Sequence, residues 1–252
     1  MSISLLILVL WVSLFGVAFA EPLRVAVASN FLMPAKVLAA RFEESSGREI
    51  SIIAGSTGKL LAQIVNGAPY SVFLAANAAE PMRLEAEGQV VPGTRVTYAT
   101  GRLVLWSVDG ELLTAEAGKD LIRRGEFDRL AIANPKIAPY GAAALQTLQS
   151  LKLDTKALGS RLVRGENISQ AYQFVASGNA DLGFVAWSQV SNPRRPATGS
   201  HWLVPEDLHD PIEQQAVLLI RGADDADARS FLDYLRSVEA LRLIRSYGYG
   251  TG

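Results

Sequence analysis

Apolar residues alternate along the chain between short runs and longer stretches of helical spacing. Leu23-Arg24-Val25-Ala26-Val27 reads as a strand. It leads through Ala28-Ser29-Asn30 into a helix with Pro34 in its first turn, where no N–H is needed. Ala35, Leu38, Ala39 and Phe42 make that helix's buried stripe and Gly47 closes it. Ile50-Ser51-Ile52-Ile53 is a second strand. The chain then turns through Ala54-Gly55-Ser56-Thr57-Gly58 into a helix carrying Leu60, Leu61 and Ile64, with Gly67 as its stop. Val72-Phe73-Leu74-Ala75 is a third strand, followed by a helix from about Ala79 to Glu87.

The pattern restarts around Tyr98-Ala99-Thr100-Gly101. Strands are expected at Leu103–Trp106, Leu130–Ala133, Leu162-Val163, Asp181–Val185, His201–Val204 and Gln215–Ile220. Helices are expected up to Arg124, after Tyr140-Gly141 (stripe Ala144, Leu145, Leu148, Leu151) and after Asn167 (stripe Ile168, Ala171, Tyr172, Val175). A short helical turn starts at Trp187, and a last helix with an acidic start carries Ala228, Phe231, Leu232 and Leu235. Strands alternating with helices predict an α/β fold with mostly parallel sheets. Two such halves without a long linker predict two lobes.

In sheets of this kind ligands sit beyond the carboxyl ends of strands, at helix N-termini. Helix starts leave N–H groups unpaired and aimed outward, which suits an anion. Four turns qualify: Ser29-Asn30, Ser56-Thr57, Tyr140-Gly141 and Asn167-Ile168, two from each half. No Asp or Glu lies in these turns and Glu166 is the nearest. A protonated phosphate would need such an acceptor, so the pattern favours a fully deprotonated dianion.

Composition narrows the remaining classes. Apolar content of 49% is that of a globular protein with real cores, and a net charge of −1 argues against a nucleic-acid surface. With no cysteine in the chain, disulfides and thiolate metal sites are excluded. His201 and His209 are not at metal-ligand spacing. Met1 to Ala20 is an apolar run ending Ala18-Phe19-Ala20, which predicts a signal peptide cleaved after Ala20 and export. It lacks the usual basic residues at its start, and the alternative is an N-terminal membrane anchor. Arg194 and Arg195 fall in a turn-rich stretch that reads as a solvated loop.

Ser56-Thr57-Gly58-Lys59 also fits the Ser-x-x-Lys pattern of acyl-enzyme hydrolases, but their Lys-Thr-Gly motif is absent. A phosphate-binding P-loop is excluded because Ile53 stands where it needs glycine.

An ordered set of segments resembles the periplasmic molybdate-binding proteins of bacterial ABC importers. It includes Val25–Phe31, Gly55-Ser56-Thr57-Gly58-Lys59-Leu60, Gln63–Pro69, Asn134-Pro135, Ala138-Pro139-Tyr140-Gly141, Leu182-Gly183-Phe184-Val185 and Phe231–Leu235. The resemblance implies a two-lobed periplasmic binding protein fold, with lobe 1 formed by 21–100 plus 212–252 and lobe 2 by 101–211. It implies capture of molybdate or tungstate between the lobes, delivery to a membrane ABC permease, no cofactor and no catalysis. A monomer is expected. Carried over by motif, the oxyanion ligands are Ser29, Asn30, Ser56, and the backbone N–H groups of Tyr140 and Ile168. The alternative ligand is another tetrahedral oxyanion such as sulfate. Hinge segments are expected near Tyr98–Gly101 and Pro211–Gln215. The chain departs from the family pattern at Ala186, where many members carry a Tyr that reaches the ligand, and at Ser71 and Asn77.

Overall fold

A computed structural model describes residues 21–114, 117–193 and 197–251. The expected signal segment with its cleavage site after Ala20, and the loop residues Arg194 and Arg195, lie outside the described residues. The first half runs β1 (Leu23–Ala28), a 3-10 turn at Ser29–Phe31, α1 (Leu32–Ser46), β2 (Ile50–Gly55), α2 (Thr57–Val65), β3 (Val72–Leu74), α3 (Ala79–Ala86) and β4 (Val96–Gly101). The second runs β5 (Leu103–Ser107), α4 (Ala117–Arg124), β6 (Leu130–Ala133), α5 (Pro139–Ser150), β7 (Leu162–Gly165), α6 (Ile168–Ala176), β8 (Leu182–Ala186), α7 (Trp187–Val190) and β9 (Ser200–Leu203). The chain then returns through β10 (Ile212–Leu218), α8 (Ala226–Tyr234) and α9 (Val238–Ser246).

Two five-stranded sheets result, ordered β2-β1-β3-β10-β4 and β7-β6-β8-β5-β9. Each joins three strands by parallel pairings and two more by antiparallel pairings, so four of its five strands run the same way and one, β10 or β5, runs against them; the sheets are mostly parallel, as the alternating pattern predicts. The reversed strand leaves no mark on that pattern. Helices cover both faces, and a strand buried on both faces is continuously apolar whichever way it runs. The alternation of side chains is visible in β1. Leu23, Val25 and Val27 pack with Phe31, Leu38 and Phe231 on one face, while Ala26 faces Leu60, Ile64 and Phe73 on the other.

Register places the helix starts. The last pair of the β1–β2 ladder is Ala28 opposite Gly55, so Ser29 and Ser56 leave the sheet side by side. The β6–β7 ladder ends in the same way with Ala133 opposite Gly165, just before the starts of α5 and α6. The two segments that join the sheets are also adjacent, with Ile212 opposite Gly101 and Glu213 opposite Thr100 in one antiparallel ladder.

Candidate functional site

The starts of α2, α5 and α6 and the Ser29–Phe31 turn converge on one small pocket between the two sheets. All five residues singled out from the sequence, Ser29, Asn30, Ser56, Tyr140 and Ile168, line it, together with Thr57. The rest of the wall is Ala28, Gly55, Ala76, Ala138 and Pro139. No lining side chain carries a charge at neutral pH, so any ion held here is held by dipoles and hydrogen bonds.

Ser56 is the most informative member. It occupies the N-cap position of α2 in an extended conformation, yet its side chain makes no capping hydrogen bond. Its Oγ is buried and has no partner among the described residues. Burying an unpaired hydroxyl costs about 1–3 kcal/mol, which argues for a ligand that completes it. The backbone offers further donors. Pro139 has no N–H, while Gly141 and Ala142 both donate to Ala138 O, and no acceptor among the described residues takes Tyr140 N–H. At α6, the Asn167 side chain accepts Gln170 N–H and its carbonyl accepts Ala171 N–H, which likewise leaves Ile168 N–H unclaimed. Asn167 is thus an N-cap. Thr57 Oγ1 accepts from Ala76 N–H at 3.1 Å and ties the α2 start to the end of β3.

The Asn30 side chain is not free to reach a ligand. Its Nδ2 donates to Gln214 Oε1 at 2.9 Å and to Tyr249 Oη at 3.0 Å, which uses both hydrogens. Asn30 can therefore serve the pocket through its backbone N–H. The Tyr140 phenol also points away from the ligand space, accepting from Gln214 Nε2 at 3.4 Å. Tyr98 Oη donates to Gln214 Oε1 at 3.0 Å. These groups form a buried neutral network behind the pocket. Burial pushes the phenols of Tyr98, Tyr140 and Tyr249 above their ordinary value, so all three stay protonated at neutral pH. Sequence reading missed Tyr98, Gln214 and Tyr249 as members. The one available signal was a glutamine pair, Gln214-Gln215, directly ahead of the apolar run Ala216-Val217-Leu218.

At the rim, Lys59 Nζ lies 3.0 Å from Glu166 Oε1, bridging α2 and the end of the β7 segment. Both side chains are about half exposed, so the pair is worth roughly 0–1 kcal/mol. This contact also disposes of the Ser-x-x-Lys hydrolase geometry. Lys59 is paired with a carboxylate, and Ser56 Oγ has no base within hydrogen-bond reach to activate it. Gly58 N–H donates to Ile137 O at 2.9 Å across the cleft. A Cβ on Gly58 would sit 3.1 Å from Ile137 Cα, so the glycine permits this close approach.

A larger, more open groove of about 650 Å³ lies at the opposite end of the second sheet, beside the starts of β6 and β8. Two of its charged groups are engaged within the fold. Asp181 accepts the N–H groups of Asp128 and Arg129, and Arg161 donates to the carbonyls of Gly125, Phe127 and Asp128. No predicted site residue lies there. Among the described residues, no group of three or more His, Asp or Glu side chains is gathered to hold a metal ion.

Ala186, the position where the resemblance places a ligand-reaching tyrosine, is a fully buried strand end and does not line the pocket. The following Trp187 packs 4.7 Å from the His201 ring, outside the pocket.

Residues 23–250 match the family model for bacterial extracellular solute-binding proteins. The chain is 47% identical over 250 residues to molybdate-binding protein ModA of Azotobacter vinelandii, covering 99% of this chain and 98% of that one. It is 47% identical over 226 residues to molybdate-binding protein ModA of Rhodobacter capsulatus, covering 90% and 87%. The solved periplasmic molybdate-binding protein of Azotobacter vinelandii superposes with a TM-score of 0.86 at 39% identity, covering 91% of this chain and 99% of that one. The chain belongs to the bacterial extracellular solute-binding protein family.

Proposed function

We propose that this protein captures molybdate, and tungstate with it, in the pocket between its two lobes and delivers the anion to a membrane ABC permease. The observation that carries the reading is the buried, unpartnered Ser56 Oγ, set in an uncharged pocket where helix starts converge. The ligand set is Ser29, Asn30 and Ser56 from lobe 1, with the backbone N–H groups of Tyr140 and Ile168 from lobe 2. Each hydrogen bond to a charged oxygen contributes on the order of 1.5–3 kcal/mol, with no buried counter-ion to desolvate. The absence of a carboxylate from the wall disfavours an anion that keeps a proton. The molybdate-binding relatives at 47% identity support the choice of metal oxyanion.

In this reading, lobe 1 comprises 21–100 and 212–252, and lobe 2 comprises 101–211. The lobes close about Tyr98–Gly101 and Pro211–Gln215. The protein binds and releases its ligand unchanged, acts as a monomer and works in the periplasm. Export there rests on cleavage after Ala20, so the mass of the exported protein is expected to correspond to Glu21 at its N-terminus. A mass that includes Met1 contradicts it. The functional reading itself is tested by calorimetric titration with molybdate, tungstate, sulfate and phosphate. Tight binding of the first two, barely disturbed by excess sulfate, is expected. Equal competition by sulfate would make this a general oxyanion binder.

A further inference from the structure

The turn that carries Ser29 and Asn30 is gripped from behind by the other lobe. Ser169 Oγ, in the first turn of α6, donates to Ser29 O at 3.3 Å. Ser188 Oγ, in α7, donates to Asn30 O at 3.0 Å. Both serines follow strands of the second sheet, and both acceptors belong to the turn after β1 in the first. Neither Ser169 nor Ser188 lines the pocket. The two hydroxyls therefore touch the carbonyls of the same turn whose Asn30 N–H the proposed function assigns to the anion.

This arrangement has a direct electrostatic consequence. Ser29 O and Asn30 N–H belong to one peptide group. A hydroxyl donating to that carbonyl polarises the peptide and strengthens its N–H as a donor. At the next peptide, Asn30 O lies within hydrogen-bond distance of two hydroxyls, Ser188 Oγ and Tyr249 Oη, the latter at 2.8 Å. Tyr249 Oη is also 2.8 Å from Ser188 Oγ, and its single proton serves one of these two acceptors. Asn30 is thus held at its side-chain nitrogen, by Gln214 and Tyr249, and at its backbone carbonyl, by Ser188 and Tyr249.

A second contact backs the same junction. Gly248 adopts φ +82°, and a Cβ there would lie 2.2 Å from Trp187 Cδ1. The indole that precedes Ser188 is thus seated directly on the backbone that precedes Tyr249. Thr100 N–H and O both pair with Gly250, which ties this C-terminal segment to the end of β4 beside the crossing strands.

We propose that Ser188 and Ser169 are positioning residues that couple lobe closure to anion affinity, by locking the Asn30 and Ser29 carbonyls from the opposite lobe. The inference rests on the oxyanion reading of the pocket. When the lobes part, both serines leave the turn, so Ser29 O keeps Leu32 N–H and Asn30 O keeps Tyr249 Oη, both from lobe 1, but each carbonyl loses its donor from lobe 2 and the anion loses part of its grip. Tyr249 and Gln214 belong to lobe 1 and hold the Asn30 side chain in either state.

The test compares wild type, Ser188→Ala, the Ser169→Ala/Ser188→Ala double variant and Ser188→Thr by molybdate calorimetry, stopped-flow dissociation and ligand-free thermal unfolding. Ser188→Ala is expected to weaken binding about three- to tenfold through faster dissociation, and the double variant further. Ser188→Thr, which keeps the hydroxyl, is expected to recover most of the loss. The ligand-free unfolding midpoint is expected to stay at the wild-type value, because the serines act across the lobes. Wild-type affinity in the double variant overturns the proposal. So does an affinity loss matched by a lower ligand-free midpoint, which would mark a structural role. Failure of the wild-type protein to bind molybdate would instead refute the functional reading itself.

Discussion

Replacing Ser56 by alanine should lower affinity and leave ligand-free stability unchanged. Ser56 is 2% exposed, and its hydroxyl has no partner among the described residues. With the lobes closed and no anion bound it is a desolvated donor without an acceptor, a burden of about 1–3 kcal/mol that favours parted lobes in the ligand-free protein. Water satisfies the hydroxyl once the lobes part, so its deletion should leave the ligand-free unfolding midpoint at the wild-type value, where each kcal/mol lost would lower it by about 2–4 °C for a chain of this size. With a dianion bound, the same hydroxyl makes a charge-assisted hydrogen bond worth roughly 1.5–3 kcal/mol. Its loss should weaken binding roughly 10- to 150-fold at about 1.4 kcal/mol per decade. The competing account makes Ser56 a helix cap, whose removal would cost roughly 0.5–2 kcal/mol of stability. The structure argues against it, since Ser56 makes no side-chain cap bond. Calorimetry and thermal unfolding of one variant separate the two accounts. A lowered ligand-free midpoint with unchanged affinity would refute the ligand assignment.

The buried phenols give a prediction in pH. Tyr98, Tyr140 and Tyr249 have folded values raised above the ordinary 10.0, chiefly by burial. Below pH 10 the folded and unfolded chains hold these protons alike, and stability is unaffected. Above it the unfolded chain sheds them first, so stability falls by about 1.4 kcal/mol per pH unit for each phenol. Urea unfolding between pH 9 and 11 should show this decline, and Tyr98→Phe should shallow it. A flat profile would contradict the buried network.

How much of this was legible in the sequence follows from the range of each interaction. Ser56-Thr57-Gly58 announces itself because a helix start is local: the strand, the small turn residues and the apolar stripe sit within a dozen positions. The same holds for Ala138-Pro139-Tyr140 and for Asn167. Convergence of these turns follows from the ladder ends at Ala28–Gly55 and Ala133–Gly165, which the α/β pattern implies. The network behind them was not legible. Asn30 meets Gln214 184 positions away and Tyr249 219 away, and no local pattern pairs them. The one reversed strand of each sheet was hidden, for a reason that β10 shows. Its Ala216, Val217 and Leu218 are buried on both faces and read the same in either direction. β10 also begins at Ile212, three positions ahead of the expected Gln215, because the polar Glu213 and Gln214 mask its start. Helix α9 was missed because Ala240 and Ile244 are its only fully buried residues, although Ser237 caps it by accepting from Ala240 N–H.

The most direct measurement of the central claim is a crystal structure of the protein grown with molybdate, with the metal located by its anomalous scattering. The account predicts one strong molybdenum peak between the lobes, its oxygens within hydrogen-bond distance of Ser56 Oγ and the N–H groups of Tyr140 and Ile168. A peak elsewhere, for example at the surface beside Arg24, Arg48 and Arg221, with the interlobe pocket empty, would contradict it.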